Sequence, residues 1–196
     1  FDTPENICLN DHIRERKNKY KVRIRLYVNS NICFLEIKKK NVHGRTMKMR
    51  IQRTSEKWDS PLTDFEKRFL SERVPFASEL SPVLYISYSR FTLAQLNRCE
   101  RITLDTNLTY TTIQGEISKP LHGLVVVELK QAETNRRSPL FVFLRSMPER
   151  TTQLGRIIKI SKYVLGRLSS DDSLSPRTYL SKLKVLRRAT KAIKTI

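Results

Sequence analysis

Apolar and polar residues alternate with a period of two along several stretches of the chain, and this period is typical of β-strands. Successive side chains of a strand point to opposite faces, so each of these stretches has one apolar and one polar face. The alternation predicts strands over 20–29, 32–40 and 45–53. Turn-forming residues over 29–31 and 41–44 separate these strands, which predicts an antiparallel meander.

A helix and three more strands are predicted after the meander. The helix covers 64–70 and places Phe65, Phe69 and Leu70 on its packing side. The strands that follow cover 83–93, 100–110 and 123–133.

The C-terminal part of the chain predicts two further helices. One begins at Pro148 and is closed by Gly166, and the last begins after Ser175 and continues to Ile193 with one strongly basic side. A chain of strands interrupted and followed by helices is predicted to be of the α+β class. Its 196 residues are enough for one domain with a real core.

The polar faces of the predicted strands are mainly cationic. The chain has 38 Lys and Arg against 19 Asp and Glu, a formal net charge of +19, which predicts an anionic partner such as nucleic acid, an anionic membrane or a phosphate compound. Two like charges ~7 Å apart repel by about 2 kcal/mol at an effective dielectric constant of ~20. Several such pairs in one enclosure require bound anions, and a chain of phosphates suits the forked donors of Arg and the point charge of Lys.

Other kinds of site have no signature in the sequence. The three cysteines and three histidines are dispersed, so no zinc site is expected. No phosphate-binding P-loop, dinucleotide motif or nucleophile constellation with suitable spacing occurs. Phosphoryl transfer needs little covalent chemistry from the protein, and Mg²⁺ or Mn²⁺ is often held by one or two carboxylates together with phosphates.

Six motifs follow one another along the chain: 34–38, Lys48-x-Arg50, Tyr88-Ser89-Arg90, 101–106, 127–130 and 159–163. Together they resemble the polyphosphate polymerase domain of the vacuolar transporter chaperone (VTC) complex and its bacterial relatives, a family of triphosphate tunnel metalloenzymes. The resemblance covers nearly the whole chain. It implies a single domain over 1–196, built as a closed antiparallel barrel around a basic tunnel with helices outside, whose first strand precedes Phe1.

The resemblance also implies the reaction and the residues that serve it. Members of this branch transfer the γ-phosphate of ATP or another nucleoside triphosphate to a growing polyphosphate chain, with Mn²⁺ or Mg²⁺ as cofactor. The implied catalytic and phosphate-binding residues are Arg23, Arg25, Lys38, Lys48, Arg90, Arg101 and Lys159. Further phosphate contacts are expected from Arg50, Lys130 and Lys162. The implied metal ligands are Glu128 and Glu36, with pairing to neighbouring bases as the other role for Glu36.

Two alternatives stay open at this point. The first is a triphosphatase on the same barrel, although the wider superfamily has an E-x-E-x-K strand where this chain has only E-x-K over 128–130. The second is a non-catalytic module that binds polyphosphate or RNA, which the basic helix over 176–193 would suit; no specific nucleic acid is expected as partner. The odd number of cysteines and the lack of a membrane-length apolar run predict a cytoplasmic location. A place at the membrane surface and a membrane-protein partner stay open.

Overall fold

The structure, a computed structural model, describes residues 1–95, 100–118, 124–133, 135–146, 160–171, 173–174, 179 and 184. The chain divides into two compact units, Phe1–Val83 and Leu84–Ile196. Each unit has its own antiparallel sheet together with helices. The predicted α+β class is therefore confirmed, and the single domain over 1–196 stays a prediction.

The sheet of the first unit has the predicted three-stranded meander. Its strands are β1 (Lys19–Tyr27), β2 (Ile32–Lys40) and β3 (Thr46–Arg53), joined in the order β1-β2-β3. A 3-10 turn, Val28–Ser30, connects the first two strands, and a turn through Gly44 at φ 81° connects the last two. One face of the sheet carries the buried apolar side chains of β1 and β2, namely Val22, Cys33, Leu35 and Ile37.

Helix α1 (Ile7–Ile13) was not predicted from the sequence. The carboxylate of Asp2, which is fully buried, accepts hydrogen bonds from the backbone amides of Cys8 at 2.8 Å and Leu9 at 2.9 Å. These amides belong to the first turn, whose donors have no partner within the helix. Asp2 thus stabilises the beginning of α1 from outside it.

Helix α2 (Asp64–Ser71) confirms the predicted helix over 64–70. Thr63 and Glu66 form a capping box at its beginning. The predicted packing side is wrong for Phe65, whose side chain is exposed, although Leu70 is buried. Glu66 faces inward instead, because its carboxylate pairs with the buried Arg53 of β3 at 2.6 Å.

The sheet of the second unit is built around β5 (Glu100–Thr111). Strand β4 (Tyr85–Gln95) pairs with one side of β5, and the short β6 (Ile117–Ser118) and β7 (Val126–Lys130) pair with the other. Strands β4, β5 and β7 agree with the predicted ones, and β6 was not predicted. Over the ranges that the structure describes, the strands form two separate antiparallel sheets and no closed barrel is found, so the barrel stays a prediction.

Two more helices belong to the second unit. Helix α3 (Pro139–Ser146) was not predicted, and α4 (Lys162–Ser170) continues past Gly166, so the predicted helix end there is wrong. A Cβ at position 166 would meet the side chains of Leu84 and Tyr110. The glycine therefore allows α4 to approach the sheet closely, as glycine does where a backbone must come near another group. The predicted helix segment 148–159 and most of 175–193 lie outside the described residues.

The helices that the structure describes were also considered as membrane spans. None of them is both long enough and apolar enough to cross a bilayer.

Candidate functional site

The polar face of the first sheet brings together most of the predicted phosphate-binding residues of the first unit. Directly paired residues of antiparallel strands point to the same face, and the register pairs Lys21 with Lys38 and Lys38 with Lys48. It likewise pairs Arg23 with Glu36 and Glu36 with Arg50. The cations on this face are Lys19, Lys21, Arg23, Arg25, Lys38, Lys40, Lys48 and Arg50.

Glu36 is a carboxylate within this cationic face and is almost fully buried. Its Oε2 accepts hydrogen bonds from Nε of Arg23 at 2.8 Å and from Nη2 at 2.6 Å. Burial raises the pKa of Glu36, but the charges of Arg23, Arg25 and Lys38 and the hydrogen bonds from Arg23 outweigh it, so the pKa lies below its usual value. The structure thus shows Glu36 paired with a base, and its role as a metal ligand stays a prediction.

The surroundings of Lys38 disfavour its charged form. Its pKa is lowered from 10.5 to about 8, first by burial and then by the positive charges of Arg23, Lys48 and Arg25, whereas Glu36 raises it. An ammonium group in these surroundings lacks enough negative charge to keep its proton firmly. An anion bound beside Lys38 would therefore stabilise its charged form.

Aromatic rings hold two of the guanidinium groups. Cζ of Arg25 lies 4.5 Å from the ring centroid of Tyr27, and Cζ of Arg50 lies 4.3 Å from that of Phe34. Tyr27 and Phe34 contact each other edge to face at 6.4 Å. Such cation–π contacts restrain an Arg side chain without using its N–H donors. Both guanidinium groups are thus held in place on the cationic sheet face.

In the second unit, Asp105 joins two of the predicted cations. Its Oδ1 accepts a hydrogen bond from Nε of Arg90 at 2.5 Å, and its Oδ2 accepts from Nη2 at 2.7 Å. Nζ of Lys162, at the beginning of α4, lies 2.5 Å from Oδ2. Burial raises the pKa of Asp105, but the hydrogen bonds and charges of Arg90 and Lys162 hold it below its usual value. Asp105 was not among the predicted site residues.

Three other predicted residues of this unit, Arg101, Glu128 and Lys130, lie on the same sheet face as Arg90. The register pairs Arg101 with Lys130 across β5 and β7, and it pairs Thr103 with Glu128 two positions further along. Both Arg101 and Glu128 are exposed. Nζ of Lys130 lies 3.6 Å from Oε1 of Glu128, a surface pair of the kind that contributes little to stability.

Glu128 fits the metal that the resemblance implies. Its carboxylate is about half exposed, and directly opposite lies Thr103, whose buried Oγ1 has no hydrogen-bond partner among the described residues. Mg²⁺ and Mn²⁺ prefer oxygen ligands and are often bound by one carboxylate together with phosphates and water. Over the ranges described here, no three His, Cys, Asp or Glu side chains cluster into a metal site.

The structure divides the predicted site residues between the two units. It places Arg23, Arg25, Lys38, Lys48, Arg50 and Glu36 on one sheet face of the first unit. It places Arg90, Arg101, Lys130 and Glu128 on one sheet face of the second, where Lys162 joins through Asp105. Lys159 lies outside the described residues. The alternation along β5 could have identified Asp105 and Thr103, because both lie on the same face as Arg101.

Comparison with known families gives one match. The family model described as the VTC domain matches residues 1–170 of the 196. A search of the curated proteins finds no match.

Proposed function

Because the chain belongs to the VTC domain family, we propose that it is a metal-dependent polyphosphate polymerase that uses ATP or another nucleoside triphosphate. Family membership connects the chain with polyphosphate metabolism. The proposal adds the polymerase reaction, Mn²⁺ or Mg²⁺ as cofactor, and the closed barrel with its basic tunnel. It also adds polyphosphate as the product and a cytoplasmic location. Attachment to a membrane-protein partner stays open.

The observation that carries this proposal is the row of lysines across the first sheet. Lys21, Lys38 and Lys48 face each other directly in the register of β1, β2 and β3. Like charges directly opposite each other destabilise a sheet. Burial lowers the pKa of Lys38, and the charges of Arg23, Lys48 and Arg25 lower it further. A ligand with several adjacent negative charges would relieve the repulsion, and a chain of phosphates has this property.

The residues of the chain have separable roles in the proposed transfer. The guanidinium groups of Arg23, Arg25 and Arg90 would bind phosphate oxygens through forked donors, and Lys38 and Lys48 would neutralise charge along the phosphate chain. A terminal oxygen of polyphosphate would form a bond to the γ-phosphorus while the bond from that phosphorus to the β-phosphate oxygen breaks, releasing the nucleoside diphosphate. Positioning and charge neutralisation supply most of the catalysis in such transfers.

Glu128 would hold the metal together with phosphate oxygens. A bound Mg²⁺ or Mn²⁺ supplies charge neutralisation on the phosphates and fixes their orientation.

The test is to incubate the protein with ATP and Mn²⁺, and to separate the products on a gel that resolves phosphate chains. We expect a ladder that lengthens with time and is absent when a chelator replaces the metal. Release of free phosphate without chain growth would show a triphosphatase instead. Polyphosphate or RNA binding that is independent of metal, weakens steeply with salt and leaves ATP intact would show a non-catalytic binding module.

A further inference from the structure

Asp105 is a buried acid in a region otherwise predicted to attract anions. Its side chain has no exposed surface, whereas the side chains of Arg90 and Lys162 are 24% and 20% exposed. An anion that arrives from solvent therefore meets the two cations and is shielded from the carboxylate. The three side chains come from β5, β4 and α4, so Asp105 ties together two strands and a helix of the second unit.

We propose that Asp105 is a positioning residue, which fixes Arg90 and Lys162 so that their remaining donors converge on one phosphate group. This inference rests on the function proposed above, because it concerns the same phosphate-binding site. It assigns a role in substrate binding to a residue that touches no substrate itself.

The count of hydrogen-bond donors supports this role. A guanidinium group has five N–H donors and an ammonium group has three. Asp105 takes donors from Nε and Nη2 of Arg90 and one from Lys162. Among the residues that the structure describes, no acceptor lies within hydrogen-bonding distance of Nη1 of Arg90. Asp105 thus orients the two cations and leaves most of their donors for a ligand.

Tyr88 restrains the same two cations from a second direction. The centroid of its ring lies 5.2 Å from Cζ of Arg90 and 5.0 Å from Nζ of Lys162. Both distances are within the range of cation–π attraction. Long side chains that are already held in place lose less freedom when a ligand binds, which strengthens binding.

Simple electrostatics and positioning predict opposite results for Asp105→Asn. This substitution keeps the shape of the side chain but removes a negative charge from a cationic site, so charge alone predicts tighter binding of a polyanion. The positioning role predicts weaker binding, by about tenfold, because the amide keeps only one acceptor oxygen and puts an NH2 donor where the second oxygen held a cation. The sign of the change therefore separates the two explanations.

Glu66→Gln is the matched control. Glu66 is also a buried carboxylate that pairs with an arginine, Arg53, at 2.6 Å. Arg53 lies on the apolar face of the first sheet, which is the face opposite to the predicted phosphate-binding residues. Both variants lose one buried negative charge, so their comparison corrects for the general change in net charge and for the loss of a buried ion pair.

The experiment measures the affinity of wild type, Asp105→Asn and Glu66→Gln for tripolyphosphate by calorimetry at one ionic strength. The inference expects Asp105→Asn to bind about tenfold more weakly than Glu66→Gln, which should bind like wild type. Equal or tighter binding by Asp105→Asn would overturn the inference while leaving the proposed function intact. If wild type itself did not bind tripolyphosphate, the proposed function would fail and this inference with it.

A structure of the wild-type protein with tripolyphosphate provides a test that does not depend on the folding of a variant. The positioning role expects Asp105 to keep its contacts with Arg90 and Lys162 while phosphate oxygens take the remaining donors of both. Departure of either cation from Asp105 to the phosphate would show that the carboxylate is only a counter-ion that the ligand replaces, and would overturn the inference.

Discussion

Glu36 and Lys38 lie two positions apart on the same face of β2, and the same surroundings affect their ionisation differently. Burial disfavours the charged form of both groups. The surrounding arginines favour the charged carboxylate of Glu36 and disfavour the charged ammonium of Lys38. The pKa of Glu36 is lowered because Arg23 is its partner. The pKa of Lys38 is lowered to about 8 because burial and nearby positive charges outweigh the negative charge of Glu36.

We predict that tripolyphosphate binding weakens as the pH rises through about 8. The phosphates would supply the missing negative charge and raise the pKa of Lys38 from about 8, so binding should take up a proton near that pH. The loss of affinity at higher pH should be roughly tenfold, the effect of one charged hydrogen bond. Calorimetry in two buffers with different ionisation enthalpies measures both the affinity and the proton uptake.

Lys38→Arg is the control for this pH dependence, because an arginine stays charged over the whole range. Its affinity should change less with pH than that of wild type, and the difference between the two belongs to Lys38. Identical pH profiles would contradict the prediction. In the ligand-free protein the sign is opposite: between about 8 and 10.5 the unfolded state binds more protons at Lys38, so this group's contribution to stability rises with pH.

Glu128→Gln should remove metal-dependent turnover and leave binding of tripolyphosphate in the presence of a chelator largely intact. The amide keeps the size of the side chain but loses the charge that a divalent cation requires. Gel assays of chain growth and calorimetry measure the two properties separately. Glu116→Gln, at an exposed turn position of the same unit, is the control and should retain turnover. Full activity in Glu128→Gln would exclude the metal role.

At the scale of secondary structure, the sequence predicted the strands well and the helices only in part. A period of two is a local property, so β1, β2 and β3 could be recognised from their own residues. Helix α1 could not, because the carboxylate that stabilises its beginning belongs to Asp2, which lies outside the helix. The end of α4 was misplaced because Gly166 serves a contact with side chains far away in sequence, and no local pattern shows that.

In the candidate site, too, the sequence predicted what depends on local pattern and missed what depends on distant residues. The alternation correctly grouped Lys38 with Glu36 on a shared face, and it also puts Asp105 on the face of Arg101, although Asp105 was not predicted as a site residue. It could not show which cation each carboxylate would hold, because that depends on the pairing between strands and on the position of α4. The pairing of Lys162 with Asp105 joins residues that no short-range pattern connects.

Gly166→Ala should destabilise the second unit although alanine favours helices more than glycine does. The new methyl group would meet Leu84 and Tyr110, and overpacking of this kind costs about 1–3 kcal/mol, more than the ~1 kcal/mol gained in helix propensity. Urea unfolding followed by circular dichroism measures the change. Lys67→Ala, at an exposed position of α2, is the control and should change stability by less than about 0.5 kcal/mol. A more stable Gly166→Ala protein would show that α4 can move away from the sheet.

At the scale of the whole molecule, the net charge of +19 lowers the stability of the ligand-free protein. Each unit carries a cationic sheet face, and the acids within these faces, Glu36, Asp105 and Glu128, are already paired with bases. The excess of positive charge therefore has few internal partners in the part of the chain that the structure describes. A multivalent anion should stabilise the fold more than its ionic strength alone would.

We predict that tripolyphosphate at 100 times its dissociation constant raises the melting temperature by roughly 5–10 °C. Such saturation stabilises the folded state by about 2.7 kcal/mol, and 1 kcal/mol corresponds to roughly 2–4 °C for a chain of this size. Differential scanning fluorimetry measures the shift. Sodium chloride and orthophosphate at the same ionic strength are the controls and should produce smaller shifts. Equal shifts from all three would indicate general screening of charge rather than a defined site.

The alternation of β3 has a consequence for how this protein can change over evolutionary time. Lys48 and Arg50 project from one face, towards the predicted substrate, while Ile51 and Arg53 project from the other, towards the interior and α2. Neighbouring residues in this strand therefore serve different properties, anion binding on one face and stability on the other. Substitutions at one set of positions can adapt the protein to warmer or colder habitats, and substitutions at the other set can alter its choice of anion, with little interference between the two.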